Sequence, residues 1–223
     1  MSERTIKRLG VPEVTAAVRA TGIVAILRAP TAAHFPRVVE TLLAAGARIV
    51  EVTLTTPGAV DSIAGLTRAF GEEAIIGAGS VITADSAEAC FEAGARFVVS
   101  PTAAPDVVAA ARVAGIAAYA GAMTPTEALA VHMSGASVKL FPASAVEPGF
   151  ITELHGPLPD IEVVPTGGIA IEDVAAWIRA GAAAVGLGGA LLRGAGIDGD
   201  TDGLRDRATR ALAAVAEARG SDA

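Results

Sequence analysis

The chain has 223 residues, a formal net charge of −7, and a composition that is 52% hydrophobic but only 4% aromatic. The acidic balance and the absence of any cluster of Lys or Arg exclude nucleic acid and anionic membrane surfaces as expected partners. With so few aromatic residues, Ala, Val, Leu and Ile must build the core, as in buried parallel strands under Ala-rich helices.

Cysteine content and apolar patterning favour a protein of the cytoplasm. Cys90 is the only cysteine, so no internal disulfide can form, and we expect it to be a small core residue. The first ten residues lack the apolar segment of a signal peptide, and no apolar run is long enough to span a membrane. No His, Asp or Glu cluster has metal-ligand spacing, so we expect neither a metal nor a cofactor.

One pattern recurs along the chain: a small residue, Gly, a small residue, and then a short apolar strand. It is found at 45–52, 93–100, 114–121, 134–141 and 180–187. The spacings of its glycines, 48, 21, 20 and 46, correspond to two units, one, one and two. The two long gaps contain the strands EAIIGAG (73–79) and IEVVPTGG (161–168), and GIVAIL (22–27) precedes the first repeat. The sequence therefore predicts eight strands.

Each predicted strand is followed by a helical pattern with a start signal. The segment TPTE places Thr124 at the N-cap, Pro125 at the first helical position and Glu127 at the third, which is a capping box. Pro57 and Pro105 also stand at plausible first-turn positions. The recurrent glycine fits the left-handed residue that ends a helix before the next strand.

Eight strands alternating with helices of about ten residues predict a (β/α)8 TIM barrel, an α/β fold formed as a single domain over residues 1–223. A helix at about 11–21 would precede a barrel running from about 22 to 219. The alternative is an open doubly wound sheet, which has the same local pattern. The count of eight and the lack of GxGxxG after the first strand favour the barrel.

Two charged residues are predicted to point into this barrel. Strand alternation turns Val138 and Leu140 toward the helices and Lys139, one of only two lysines, toward the interior. The same alternation points Glu51 inward. One interpretation is a structural ion pair, although desolvation offsets much of its attraction. The other is a neutral amine, favoured by apolar surroundings, that forms a Schiff base with a ketone while the carboxylate moves protons.

Glycine pairs close the seventh and eighth strands, as Gly167-Gly168 and Gly188-Gly189. Many barrels bind phosphate at this place with backbone N–H groups. Tight loop turns are the alternative interpretation, and the presence of Lys139 favours the phosphate site.

These motifs together resemble the family of 2-keto-3-deoxy-6-phosphogluconate (KDPG) aldolase, the class I aldolases acting on 2-keto-3-deoxy sugar acids and 4-hydroxy-2-oxoglutarate (KHG). The matching segments occur in family order across nearly the whole chain. They are GIVAILR (22–28), AGARIVEVTLTTPGA (45–59), IIGAGSV (75–81), AGARFVVSP (93–101), MTPTEAL (123–129), VKLFPAS (138–144), VVPTGGI (163–169) and AVGLGGALL (184–192).

The resemblance implies that Lys139 is the Schiff-base lysine and Glu51 the general acid/base. It implies cleavage of a phosphorylated keto acid to pyruvate and glyceraldehyde 3-phosphate without a metal, in a homotrimer. The substrate-binding residues it implies are Arg28, Thr55, Ser80, Pro101, Phe141 and Thr166. The phosphate-binding residues it implies are Gly167, Gly168, Gly188 and Gly189.

Three positions depart from the family pattern. Thr55 stands where some members have an Arg, and Ser80 replaces the usual Thr but keeps a hydroxyl. Ala190 stands where members often have a Ser, which leaves backbone amides to bind a phosphate.

Two further functions stay open at this point. One is a non-covalent phosphate-binding barrel, such as an isomerase, a synthase or a binding protein. The other is a degenerate scaffold in which Lys139 and Glu51 are structural. Within the aldolase hypothesis, gluconate-type, galactonate-type and short hydroxy-keto acids would all use the same lysine.

Overall fold

Short parallel strands alternate with helices along residues 10–199 and 201–220, which the computed structural model describes. The strands are Ile23–Leu27 (β1), Ile49–Thr53 (β2), Ile75–Gly79 (β3), Phe97–Val99 (β4), Ala117–Ala122 (β5), Ser137–Leu140 (β6), Val163–Pro165 (β7) and Val185–Leu187 (β8). The helices are Val11–Thr21 (α1), Phe35–Ala44 (α2), Ala59–Phe70 (α3), Ala84–Glu92 (α4), Pro105–Ala114 (α5), Pro125–Met133 (α6), Gly149–His155 (α7), Val174–Arg179 (α8), Gly189–Leu192 (α9), Ala195–Asp198 (α10) and Asp202–Gly220 (α11).

The eight strands form one parallel sheet that closes on itself. Their order is β7-β6-β5-β4-β3-β2-β1-β8, and every neighbouring pair is parallel. A parallel bridge between Thr166 and Gly186 joins the two outer strands. The predicted (β/α)8 barrel with a preceding helix is confirmed, and the open doubly wound sheet is wrong.

Apolar side chains pack in two layers, one outside and one inside the sheet. Val138 and Leu140 belong to the outer layer between strands and helices. The inner layer includes Ile49 on β2, and Val14 and Val18 of α1 pack against it. Both α1 valines are fully buried, so this helix covers the N-terminal end of the barrel. In barrels of this fold, active sites lie at the other end, where the C-terminal ends of the strands meet.

Local start signals mark where several helices begin. Thr124 accepts a hydrogen bond from the Glu127 amide, and the Glu127 side chain accepts from the Thr124 amide, so the predicted capping box is confirmed. Pro105 begins α5 as predicted. The prediction for Pro57 is wrong, since a turn bonded from the Thr56 amide to the Thr53 carbonyl delays the start of α3 until Ala59.

Two further predictions concern the burial of Cys90 and the helices that could cross a membrane. Cys90 is fully buried on α4, and burial raises the pKa of its thiol to about 11, as expected of an inert core residue. Within residues 10–199 and 201–220, no helix combines the length and apolar character needed to cross a membrane.

Candidate active site

Lys139 projects from the middle of β6 into the barrel. Its neighbours Val138 and Leu140 face the opposite side, so the alternation inferred from sequence holds. The side chain is only 6% exposed, and its Nζ lies 5.1 Å from the centre of the Phe141 ring. A cation over an aromatic face is stabilised by the ring quadrupole, so Phe141 holds the amine in place without taking a hydrogen bond from it.

Glu51 enters the same interior from β2 and is 3% exposed. The carboxylate passes over Gly79 of β3, where a Cβ atom would lie 1.8 Å from Glu51 Oε1. Burial raises the pKa of the Glu51 carboxyl, while the nearby charges of Lys139 and Arg28 act in the opposite direction. The result is a carboxyl that holds its proton more tightly than an exposed glutamate does.

The two charged groups face each other without bonding. Among the residues described, neither the Lys139 amine nor the Glu51 carboxylate forms a hydrogen bond or an ion pair. The structural interpretation requires an ion pair between Lys139 and Glu51, and the described residues contain no such pair. Both polar groups are available to a ligand.

A cleft of about 230 Å³ opens above them at the C-terminal end of the barrel. It is lined by Ile26, Arg28, Glu51, Ser80, Pro101, Lys139, Phe141, Thr166, Gly167, Gly168, Gly188, Gly189, Leu192 and Arg193. Eleven of the twelve site residues predicted from the sequence are in this lining. Residues separated by up to 167 positions in the chain, Ile26 and Arg193, are thus brought to one cleft, as the fold requires.

Thr55 is the predicted site residue that the structure does not bring to the cleft. It lies exposed in the loop after β2, with its hydroxyl 3.1 Å from the hydroxyl of Thr53. Thr53 is itself tied to the Leu27 carbonyl at 3.1 Å. These hydrogen bonds hold the Thr55 side chain within the loop. Contact between Thr55 and the substrate stays a prediction.

Arg28 and Ser80 form one wall of the cleft. Arg28 Nη2 donates a hydrogen bond to Ser80 Oγ at 3.2 Å, joining the ends of β1 and β3. The remaining N–H groups of a guanidinium fit a carboxylate in bidentate fashion. This wall can bind the carboxylate of a small acid beside Lys139.

The two glycine pairs, which follow β7 and β8, form a second wall of the cleft. Gly168 has a φ of 75°, and a Cβ there would lie 2.6 Å from Ser144 Cβ, so the site admits no larger residue without a shift. Outside the helices and the strand ladder, the described residues show no hydrogen bond donated by the amides of Gly167, Gly168, Gly188 and Gly189. Backbone N–H groups of glycines at the ends of two neighbouring barrel strands are suited to a phosphate.

Arg193 is a lining residue that the sequence reasoning missed. It follows the short helix α9 and is exposed. The signal that would have revealed it is its position, because it is the one basic residue between β8 and α11.

Charge is distributed unevenly over the cleft. Arg28, Lys139 and Arg193 are cationic, and Glu51 is the one acid in the lining. This local excess of positive charge occurs in a chain with a net charge of −7. A small anion is therefore the ligand that the cleft suits. No group of three His, Cys, Asp or Glu residues suited to a metal ion is found among the described positions.

Comparisons with known proteins agree with this geometry. A family model described as KDPG and KHG aldolase matches residues 14–204. Over 173 residues, the chain is 36% identical to the 2-dehydro-3-deoxy-6-phosphogalactonate aldolase of Escherichia coli (strain K12), covering 77% of this chain and 84% of that protein.

Two solved structures are similar in fold. The first is a cube-shaped, highly porous protein cage designed by fusing symmetric oligomeric domains, with a TM-score of 0.84, 32% identity, and coverage of 90% of this chain and 74% of that one. The second is the KDPG aldolase of Legionella pneumophila with pyruvate captured at low pH as a covalent carbinolamine intermediate, with a TM-score of 0.75, 26% identity, and coverage of 91% and 96%.

The family match extends over residues 14–204 and includes the strands that carry Lys139 and Glu51, and the match to the Escherichia coli relative covers most of the chain. The chain belongs to the KDPG and KHG aldolase family and is an aldolase, an enzyme of the lyase class.

Proposed function

We propose that the protein is a class I aldolase that cleaves a phosphorylated 2-keto-3-deoxy sugar acid, of the gluconate or galactonate type, to pyruvate and glyceraldehyde 3-phosphate. Lys139 is the nucleophile and Glu51 the proton carrier. The observation that carries the proposal is an amine and a carboxylate that face one cleft without a bonding partner in the described part of the chain. A non-covalent isomerase or binding protein has no need of that amine.

The reaction begins at the keto carbon of the substrate. The neutral amine of Lys139 attacks C2, and loss of water from the carbinolamine leaves an iminium ion. Removal of the proton from the C4 hydroxyl breaks the C3–C4 bond, and its electron pair moves into an enamine. The aldehyde leaves at this step. Protonation of the enamine at C3 and hydrolysis by water then release pyruvate and free Lys139.

Glu51 is placed to carry the protons of these steps. It accepts the proton of the C4 hydroxyl, directly or through one water, and returns it to C3 of the enamine. A raised pKa suits this work because the same group must both take up and release a proton near neutral pH.

The two walls of the cleft bind the two ends of the substrate. Arg28 and Ser80 bind the carboxylate next to the keto carbon. The backbone amides of the glycine pairs bind the phosphate. Phe141 covers the reacting carbon beside Lys139. Pro101 and Thr166, which also line the cleft, shape it between these ends.

The type of sugar acid is a choice between two epimers at C4. The name of the Escherichia coli relative supports the galactonate type. Rates of cleavage of 2-keto-3-deoxy-6-phosphogalactonate, its gluconate epimer and 4-hydroxy-2-oxoglutarate, measured side by side, identify the preferred acid. Faster cleavage of the gluconate epimer would overturn the galactonate assignment.

Assembly and location complete the proposal. We infer a homotrimer, supported by the resemblance to a family whose members commonly form one and by the similar cage, which was designed from symmetric oligomeric domains. We also infer a cytoplasmic location, supported by a single buried thiol that needs no oxidising compartment.

Trapping with borohydride tests the covalent chemistry. The protein is incubated with pyruvate and sodium borohydride, and its intact mass is measured. One reduced pyruvyl group should be added, and peptide mapping should locate it on Lys139 rather than Lys7, the other lysine. Lys139→Met replaces the amine with an unbranched apolar side chain, so the intact mass of this variant should not increase. An unchanged mass in the unsubstituted protein would overturn covalent catalysis on pyruvate.

A further inference from the structure

Arg193 lies where the phosphate wall of the cleft ends, directly after α9. We propose that its guanidinium binds the substrate phosphate and makes the enzyme selective for phosphorylated keto acids. The inference rests on the aldolase function proposed above and adds a specificity-determining residue to it. Arg193 lines the cleft together with Gly167, Gly168, Gly188 and Gly189.

The guanidinium of Arg193 has free hydrogen-bonding capacity. Within the described residues, it forms no hydrogen bond and no ion pair. The Glu172 carboxylate has a Coulombic interaction with Arg193, but it forms its ion pair with Arg210, at 2.6 Å. The N–H groups of Arg193 are therefore available to an anion in the cleft.

The backbone at Arg193 adopts a conformation that an arginine rarely takes. Its φ of 47° and ψ of −116° lie in a region that favours glycine. Such a residue persists only where the surrounding structure fixes it. Arg207 of α11 does so, because its Nε donates to the Leu191 carbonyl at 2.6 Å and its Nη2 to the Leu192 carbonyl at 3.1 Å.

Arg193 has a strained backbone, and its guanidinium donors form no bond within the described residues. Ligand binding explains both features, whereas a contribution to folding stability explains neither. The phosphate wall otherwise offers backbone amides, since Ala190 supplies no hydroxyl. A guanidinium adds charge-assisted, bidentate hydrogen bonds to a phosphate dianion, which amides alone do not provide. Arg28 and Arg193 thus bind the two anionic ends of one substrate, with Lys139 and Glu51 between them.

The test compares a phosphorylated keto acid with the same acid lacking its phosphate. Arg193→Gln should lower kcat/KM for the phosphorylated acid by about 10- to 100-fold, because one charge-assisted contact is lost. The value for the unphosphorylated acid should change by less than about twofold. Arg193→Lys should recover part of the loss. Arg112→Gln, which removes an equal charge from an exposed site in the last turn of α5, should change neither value.

A second variant separates phosphate binding from folding. Arg193→Gly removes the guanidinium and relieves the positive φ, so its Tm should be equal to or above that of the unsubstituted protein. Its preference for the phosphorylated acid should nevertheless fall by about 10- to 100-fold, as in Arg193→Gln, and inorganic phosphate should inhibit it more weakly. A lower Tm with an unchanged preference would assign Arg193 a structural role and overturn the inference.

The remaining outcomes are also decisive. Equal losses on both substrates in Arg193→Gln, or no loss on either, would overturn the phosphate contact. Equal rates of the unsubstituted enzyme on both acids would do the same and leave the aldolase function intact. Pyruvate should still be trapped on Lys139 in every Arg193 variant. Failure of trapping in the unsubstituted protein instead overturns the aldolase function itself.

Discussion

Two charged side chains, Lys139 and Glu51, lie in an apolar barrel where burial of charge is costly. The cost is limited because the Phe141 ring lies 5.1 Å from the Lys139 amine and because Lys139 and Arg28 lower the energy of the Glu51 carboxylate. What remains is a carboxyl with a raised pKa beside an amine without a hydrogen bond. This arrangement favours proton transfer over a stable ion pair.

Glu51→Gln tests the role of the carboxyl in catalysis. The amide cannot take up the C4 proton, so kcat should fall by about 10²- to 10⁴-fold. Borohydride should still trap pyruvate on Lys139 to some extent, because the amine is untouched. The measurement is kcat alongside the mass of the trapped protein. Full aldolase activity in this variant would remove Glu51 from its role.

The same substitution makes a prediction about stability and pH. The pKa of Glu51 is higher in the folded than in the unfolded chain, so its contribution to stability is fully present below the unfolded pKa and is lost as pH rises through the folded pKa. Glu51→Gln lacks this dependence. Its free energy of unfolding relative to the unsubstituted protein should therefore increase from about pH 4 to about pH 8. Urea denaturation at the two pH values measures the difference, and an opposite trend would contradict a raised pKa.

At the scale of elements, β3 makes room for its neighbours by having glycine at its inward positions. A Cβ on Gly77 would lie 2.4 Å from the Phe97 ring, and one on Gly79 would lie 1.8 Å from Glu51 Oε1. The glycines of "IIGAG" thus let side chains from β2 and β4 occupy space that β3 leaves empty. The position of the Glu51 carboxylate depends on a strand that contributes no side chain there.

Gly79→Ala should therefore move the Glu51 carboxylate and reduce kcat by at least about 10-fold, while pyruvate trapping on Lys139 remains detectable. Gly65→Ala is the matched control, because a Cβ in that position of α3 meets nothing within 4 Å. Alanine at this helical site should stabilise the protein by about 1 kcal/mol and leave kcat unchanged. Thermal denaturation and steady-state rates measure both variants. Unchanged kcat in Gly79→Ala would show that the carboxylate tolerates displacement.

At the scale of the whole molecule, closure of the barrel concentrates function at one end. Helix α1 packs its buried valines against the inner layer and covers the other end. Three cationic side chains then surround the open cleft of a chain that carries a net charge of −7. An acidic molecule thus presents a local cationic site to an anionic substrate, and the attraction is screened by salt.

The homotrimer is a prediction at this scale. Three chains of 22.1 kDa should give a particle of about 66 kDa by light scattering coupled to size-exclusion chromatography. The mass should not change on dilution through the concentrations used for activity. A stable mass of one or two chains would contradict the trimer while leaving the cleft chemistry unaffected.

Much of the fold and site followed from local rules in the sequence. A repeated Gly before each apolar segment was enough to count eight strands, because glycine takes the left-handed conformation that ends a helix, as at Gly94 and Gly135. The period of two along a strand was enough to point Lys139 and Glu51 inward. Family motifs then identified the loop residues, of which all but Thr55 line the cleft.

Tertiary structure decided what no local period describes. Thr55 lies away from the cleft because its loop is held by Thr53 and the Leu27 carbonyl of another strand. Arg193 lines the cleft because Arg207, on a different helix, fixes the carbonyls of α9. The sequence by itself determined which side chains enter the barrel, since alternation is a property of a single strand. Only the folded chain decided which loop residues line the cleft, because contacts between distant segments set the paths of loops.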